Sequence, residues 1–129
     1  MNDDTLMLRQ VHPRFFHEGQ LSSQAFKLFP SDREDKGLSV DDGDMISAEN
    51  SHEFYTKTRK RESACVFAIT VAQAKDLQVP AKADPLVDAS WHCLLDHSAL
   101  MELSDSQLSK IAKKMKLAAE QNGCQYQPN

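Results

Sequence analysis

The longest apolar run in the sequence, residues 64–69, limits what this chain can fold into. It is far shorter than the roughly 20 residues that a helix needs to cross a bilayer, so we expect no membrane contact. The run continues to Val71 without alternating between polar and apolar residues, which is typical of a strand covered on both faces. We therefore predict a central β-strand over residues 64–71.

Two helix signals flank this strand. Thr70 and Gln73 form a capping box, which predicts a short helix over residues 71–77 directly after it. Ser47 is suited to cap an earlier helix over residues 48–57, which we expect to end near residues 59–61.

The strongest helical pattern lies near the end of the sequence. Ser104 and Gln107 form a second capping box, and Gly123 stands where a helix C-cap belongs. Between them, apolar residues recur at the spacing of one helix face. This pattern predicts a long amphipathic helix over residues 105–121.

Other segments favour extended structure. Proline pushes its predecessor into an extended conformation, so a strand is expected to stop at His12 before Pro13. The predicted strands are residues 5–11, 20–29, 38–40 and 91–96. Because strands and helices do not alternate regularly, we predict an α+β fold with a mainly antiparallel sheet, the long C-terminal helix and one or two shorter helices.

The length of 129 residues fits one compact domain, residues 1–129. Residues 30–37 are almost wholly polar and predict an exposed loop, and the polar residues 125–129 predict a frayed tail. The three cysteines form no close pair, and the start of the sequence is acidic rather than basic, so a reducing cytoplasm is expected. The net charge of −4 argues against general binding to nucleic acid.

The first two predicted strands carry side chains suited to a phosphorylated ligand. An arginine can grip a phosphate, a histidine exchanges protons near neutral pH, and serine hydroxyls can orient a ribose. The candidate ligand-binding residues are Arg9, His12, Ser22 and Ser23. The alternative is that His12 is an ordinary edge residue and Arg9 a surface charge.

Metal-binding patterns are weak. His92, Cys93, His97 and Cys65 are zinc ligand types, but neighbours on a strand point to opposite faces. The acidic residues 41–44 lack the spacing of a calcium loop and are typical of a tight turn. We expect no metal site and no cofactor.

A basic run follows the middle helix: Lys57, Arg59, Lys60 and Arg61. Cations at a helix C-terminus complement its dipole, which is sufficient reason for the run. Alternatively, the run and the charged residues 32–36 form a surface for a partner protein, because polar loops often carry recognition.

Two resemblances extend over parts of the chain. Residues 8–13, 19–26 and 38–41 together with His92 resemble a group of uncharacterised bacterial small proteins, which implies a bacterial origin. An early arginine strand followed by a Ser-x-x-x-Phe segment is similar to ADP-ribosyltransferase-like NAD-binding folds. That resemblance implies a ligand role for Arg9, for Ser22 or Ser23, and for Phe26, although no late Glu-x-Glu signature follows.

The leading functional prediction is a bacterial cytosolic protein without catalytic activity, which binds a partner protein as an accessory subunit of a multi-gene system. The alternative is a small NAD-binding or nucleotide-binding enzyme of the ADP-ribosyltransferase-like type. The two hypotheses differ in whether the candidate ligand residues share one concave pocket.

Overall fold

A computed structural model describes residues 1–29 and 36–129 of the chain. Five antiparallel strands form the main sheet: β1 (Leu6–Val11), β4 (Gly37–Asp42), β5 (Cys65–Thr70), β6 (Ala81–Ala83) and β7 (His92–Asp96). Their spatial order is β5-β1-β4-β7-β6. Two short strands, β2 (Phe16–His17) and β3 (Gln20–Leu21), pair in a separate hairpin.

Three α-helices accompany the sheet: α1 (Ala48–Glu53), α2 (Val71–Asp76) and α3 (Asp105–Asn122). The antiparallel sheet and the long C-terminal helix confirm the predicted α+β fold. Among the described residues, none of the helices has the length and apolar character needed to span a bilayer.

The main core lies between α3 and one face of the sheet. Met7, Phe67 and Leu95 from the sheet belong to the same buried cluster as Leu108 and Met115 of α3. The other face carries a smaller cluster of Leu8, Val66 and Ala68, against which Ile46, Ala48 and Tyr126 pack. Each face of the sheet is therefore covered over only part of its area, and the uncovered part is available to line a site.

Both capping boxes are present, and the helices that they predict are confirmed. The Ser104 hydroxyl accepts a hydrogen bond from the Gln107 amide, and the Gln107 side chain accepts one from the Ser104 amide. Thr70 and Gln73 form the same reciprocal pair at the start of α2. Gly123 ends α3 with φ of +82°, a conformation that L side chains rarely adopt.

The strand β5 is apolar and buried from Cys65 to Ile69 as predicted, but it lies at an edge of the sheet and not at its centre. The prediction of a central position was wrong because an apolar run reports burial and not the number of neighbouring strands. The side chains of β5 are buried by the main core on one face of the sheet and by the smaller cluster on the other. Along the outer edge of β5, the backbone of Tyr126 pairs with Val66. This residue, within the predicted frayed tail, is thus held in place by the sheet.

The prediction of an extended segment over residues 20–29 was wrong beyond Leu21. Residues Ser23–Phe26 form a 3-10 helix instead. The Ser22 hydroxyl accepts a hydrogen bond from the Gln24 amide at 3.1 Å, which turns the chain out of the extended conformation. Ala25 and Phe26 are then buried together, so alternation in the sequence was a misleading signal.

Two further differences bear on the site. The helix predicted over residues 48–57 is α1 followed by a π-helical turn, Phe54–Thr58. The short strand β6 lies in a segment for which no strand was predicted, and it pairs with β7 at the outer edge of the sheet. The predicted loop over residues 30–37 lies outside the described residues except at Lys36 and Gly37.

Candidate functional site

The candidate site lies where two neighbouring strands stop pairing. The β1–β4 ladder joins Met7 to Asp42 and Leu8 to Asp41, whereas the β1–β5 ladder continues as far as Val11. A cavity of about 420 Å³ opens next to the end of the shorter ladder, and we call it the split cavity. Its charged and aromatic lining includes Arg9, His12, Phe15, Asp41, Phe54, Tyr55, Arg59, Arg61, Trp91 and His92.

Arg9 spans the opening between the strands. Its Nε donates to the carbonyl oxygen of Ala25 at 3.0 Å, and its Nη1 donates to that of Ser39 on β4 at 2.9 Å. These two bonds fix the plane of the guanidinium at the cavity wall. A fixed cation costs little further entropy when it binds an anion.

Two more arginines reach the cavity from the residues that follow the π-helical turn. Arg59 lies over the ring of Phe54, 5.2 Å from its centroid, and donates to a carboxylate oxygen of Asp88 at 2.7 Å. Arg61 is exposed and also lines the cavity. Among the described residues, Asp41 is the one carboxylate of the cavity lining, and the Asp88 carboxylate that pairs with Arg59 lies outside it. Positive charges therefore outnumber negative ones in the described part of the wall.

Aromatic rings form another part of the wall. Phe54 and Trp91 meet edge to face, with ring centroids 5.2 Å apart, and both side chains are partly buried. Phe15 stacks on Phe29, with ring centroids 6.2 Å apart, and the ring of His12 lies 6.1 Å from that of Phe15. Rigid aromatic surface beside cations suits a ligand that combines an apolar ring with a negative charge.

His92 enters the cavity from the start of β7. Its Nδ1 lies 2.9 Å from the carbonyl oxygen of Asp84 and 3.3 Å from the Asp84 carboxylate. Its side chain is 14% exposed, so the ring is almost enclosed. The backbone and the side chain of Asp84 therefore hold the orientation of this imidazole.

Asp41 is partly buried beside His92, which is its partner in the β4–β7 ladder. Burial raises the pKa of its carboxyl group, while a hydrogen bond from Ser51 at 2.6 Å partly offsets that rise. Gln10 donates to Ser51 at 2.8 Å and accepts from Ser63 at 2.8 Å. This chain of hydrogen bonds fixes the carboxyl group at the cavity wall.

The structure brings together only some of the candidate residues from the sequence. Arg9 and His12 line the split cavity, whereas Ser22 caps the 3-10 helix and Ser23 begins it. Phe26 is 1% exposed and belongs to the main core, so it faces no ligand. A convergence of Arg9 and His12 with both serines is therefore not observed.

Only part of the predicted partner-binding run lines the split cavity. Arg59 and Arg61 line it, while Lys57 forms an exposed pair with Glu53 at 3.1 Å. Lys60 is exposed with φ of +55° and is not part of the lining.

Sequence reasoning missed the role of several lining residues. Asp41 was assigned to a turn, His92 to a weak zinc pattern, and Trp91 to the start of a strand. A usable signal was the alternation along residues 92–95, in which Cys93 and Leu95 enter the core and His92 must face the other way. Phe54 and Tyr55 gave no signal, because nothing in the sequence reports which strands separate.

The two cysteines of the sheet offer no nucleophile to this cavity. Burial raises the pKa of Cys65 to about 12 and that of Cys93 to about 11. Such thiols stay protonated near neutral pH.

No protein-family model, curated protein or solved structure matches this chain. The resemblances to ADP-ribosyltransferase-like folds and to bacterial small proteins therefore stay predictions, and the functional argument depends on the split cavity alone.

Proposed function

We propose that the chain binds a nucleotide or a nucleotide-containing ligand such as NAD in the split cavity. The observation that carries this proposal is the meeting of three arginines and a pair of packed aromatic rings around one cavity of about 420 Å³. That volume lies within the range of roughly 300 to 1,000 Å³ that is typical of small-molecule sites. The phosphates would contact the arginines, and the base would lie against Phe54 or Trp91.

The charge distribution supports a small anion rather than a long polyanion. The whole chain carries a net charge of −4, so the positive wall of the cavity is local. A long nucleic acid would also meet the acidic surface outside this wall, whereas a mononucleotide or dinucleotide would not.

The test is calorimetric titration with ADP, AMP and NAD, with adenosine and inorganic phosphate as the two half-ligands. We expect ADP to bind more tightly than either half-ligand, because it alone uses both the aromatic and the cationic parts of the wall. Thermal shift gives an independent readout, since a ligand at 100 times its Kd stabilises the fold by about 2.7 kcal/mol.

A matched pair of variants locates the site. Arg61→Gln removes a cavity cation, and we expect ADP affinity to fall about tenfold or more, as for loss of a charge-assisted hydrogen bond. Lys60→Gln removes the same charge one residue away, outside the lining, and should leave the affinity within about twofold. Equal effects of the two variants, or no binding of any nucleotide, would contradict the proposal.

Binding of a partner protein is the second candidate, favoured by the loop at the mouth of the cavity. Val87 is fully exposed and Leu86 is 40% exposed, beside the ion pair between Arg59 and Asp88. Exposed apolar residues next to charges are common at protein interfaces. Pull-down with co-encoded proteins, compared between the native chain and Val87→Asp, tests this function, and unchanged capture by the variant would argue against it.

A further inference from the structure

The two histidines of the split cavity differ in which ring nitrogen carries the proton. For His92, Nδ1 faces the carbonyl oxygen of Asp84 at 2.9 Å. A carbonyl oxygen only accepts hydrogen bonds, so Nδ1 must be the protonated nitrogen. In the neutral ring, Nε2 then holds a lone pair and can only accept.

His12 has the opposite arrangement. Its Nδ1 accepts a hydrogen bond from the backbone amide of Arg14 at 3.1 Å. A backbone amide only donates, so Nδ1 must be unprotonated and the proton of the neutral ring is on Nε2. The remaining polar atom of His12 is therefore a donor, whereas that of His92 is an acceptor.

Because of this difference, the two histidines suit different parts of a ligand. A phosphate group offers acceptors and no donor at neutral pH, so it matches the arginines and the Nε2–H of His12. The Nε2 of His92 requires a donor, and the donors of a nucleotide outside its base are the ribose hydroxyls. Both histidines line the same cavity.

From these tautomers, and on the basis of the proposed nucleotide binding, we propose that His92 makes the split cavity selective for ribonucleotides by accepting a hydrogen bond from a ribose hydroxyl. His12 serves the phosphate and is indifferent to the sugar. The ring of His92 is almost enclosed, so a deoxy ligand would leave its Nε2 without a partner and without full access to water.

The experiment compares the binding of ADP with that of 2′-deoxy-ADP and 3′-deoxy-ADP to the full chain by calorimetry. We expect one of the two deoxy ligands to bind about 10- to 100-fold more weakly than ADP, which also identifies the hydroxyl. If both bind as tightly as ADP, the selectivity proposal is overturned while the proposed nucleotide binding stands. If ADP itself does not bind, both are overturned.

Variants of the two histidines separate their roles. His92→Phe should bring the affinities for ADP and the discriminating deoxy ligand within about twofold of each other. His12→Phe should weaken both ligands by a similar factor and keep their ratio. His17→Phe, at an exposed histidine outside the lining, should change neither value. A ratio that survives in His92→Phe would overturn the proposal.

Nitrogen-15 NMR of the histidine rings gives a readout that requires no variant to fold. Long-range proton–nitrogen correlations distinguish a protonated Nδ1 from a protonated Nε2. We expect the Nδ1–H form for His92, the Nε2–H form for His12, and a shift of the His92 Nε2 resonance when ADP is added. A His92 ring protonated on Nε2 in the neutral form would overturn the proposal.

Discussion

Two aspartates in adjacent strands of the sheet have pKa shifts of opposite sign. Burial raises the pKa of Asp41 above its ordinary value of 3.8. Hydrogen bonds from the hydroxyl and the amide of Ser98 lower the pKa of Asp96. Both residues are aspartates near the C-terminal end of a strand, so the difference comes from the local surroundings and has opposite consequences for stability.

Asp41→Asn tests the sign of its shift. The unfolded chain loses the Asp41 proton near pH 3.8, before the folded chain does, so the contribution of Asp41 to stability falls as pH rises from there through the raised pKa. As pH rises through this range, the free energy of unfolding of Asp41→Asn should therefore increase relative to that of the native chain. Urea unfolding between pH 3 and pH 8 measures it, and a difference that is constant with pH would contradict the assignment.

Asp96→Asn is the matched comparison at the other aspartate. The folded pKa of Asp96 lies below 3.8, so its contribution is present above that pH and is lost as pH falls through the lowered pKa. This variant should be less stable than the native chain at neutral pH and should approach it in acid. The same urea series measures both variants. If the difference in stability from the native chain changed with pH in the same direction for both variants, the two aspartates would not have pKa shifts of opposite sign.

At the scale of elements, the helices were predictable because their signals are local. Ser104, Gln107 and Gly123 lie within the turns that they terminate, and each makes its capping contact with near neighbours. The 3-10 helix Ser23–Phe26 and the π-helical turn were not predictable in this way. The Ser22 cap of the 3-10 helix is local, but burial of Phe26 in the main core stabilises this helix as well, and no pattern in the sequence reports that burial.

The cap of α3 provides a prediction for an element. Ser104→Ala removes the acceptor for the Gln107 amide, and we expect the free energy of unfolding to fall by about 1 kcal/mol. Ser106→Ala is the control, because Ser106 is exposed inside the helix and alanine favours helix formation. Thermal and urea unfolding should show a loss for the first variant and none for the second. Equal stability of the two would mean that the capping box is not formed in solution.

For the molecule as a whole, the fold class could be predicted and the strand order could not. The pairing of β1 with β5 and of β4 with β7 joins segments far apart in sequence, and apolar patterns do not specify which strands become neighbours. The site depends on this order, because the split cavity exists where β1 and β4 separate. Arg9 and His12 were found from their chemistry, whereas Phe54, Trp91 and His92 are brought to them only by the tertiary fold.

Arg9 connects this topology to the site. Its guanidinium links β1 to the 3-10 helix through Ala25 and to β4 through Ser39, at the place where the ladder between the strands ends. Arg9→Lys keeps the charge, but its three donors all lie on one nitrogen at the end of a flexible chain. It lacks the rigid planar fork by which Nε and Nη1 reach carbonyls of two different elements. At least one carbonyl would lose its partner, which costs about 1 to 3 kcal/mol.

We therefore expect Arg9→Lys to lower the urea midpoint of the whole chain without changing the slope, and to weaken ADP binding as well. Arg14→Lys, at an exposed position outside the cavity, should change stability by less than about 0.5 kcal/mol. Arg61→Gln should weaken ADP binding and leave the midpoint in place. A loss of binding in Arg9→Lys with an unchanged midpoint would mean that Arg9 contacts ligand but does not hold β1 and β4 at their separation.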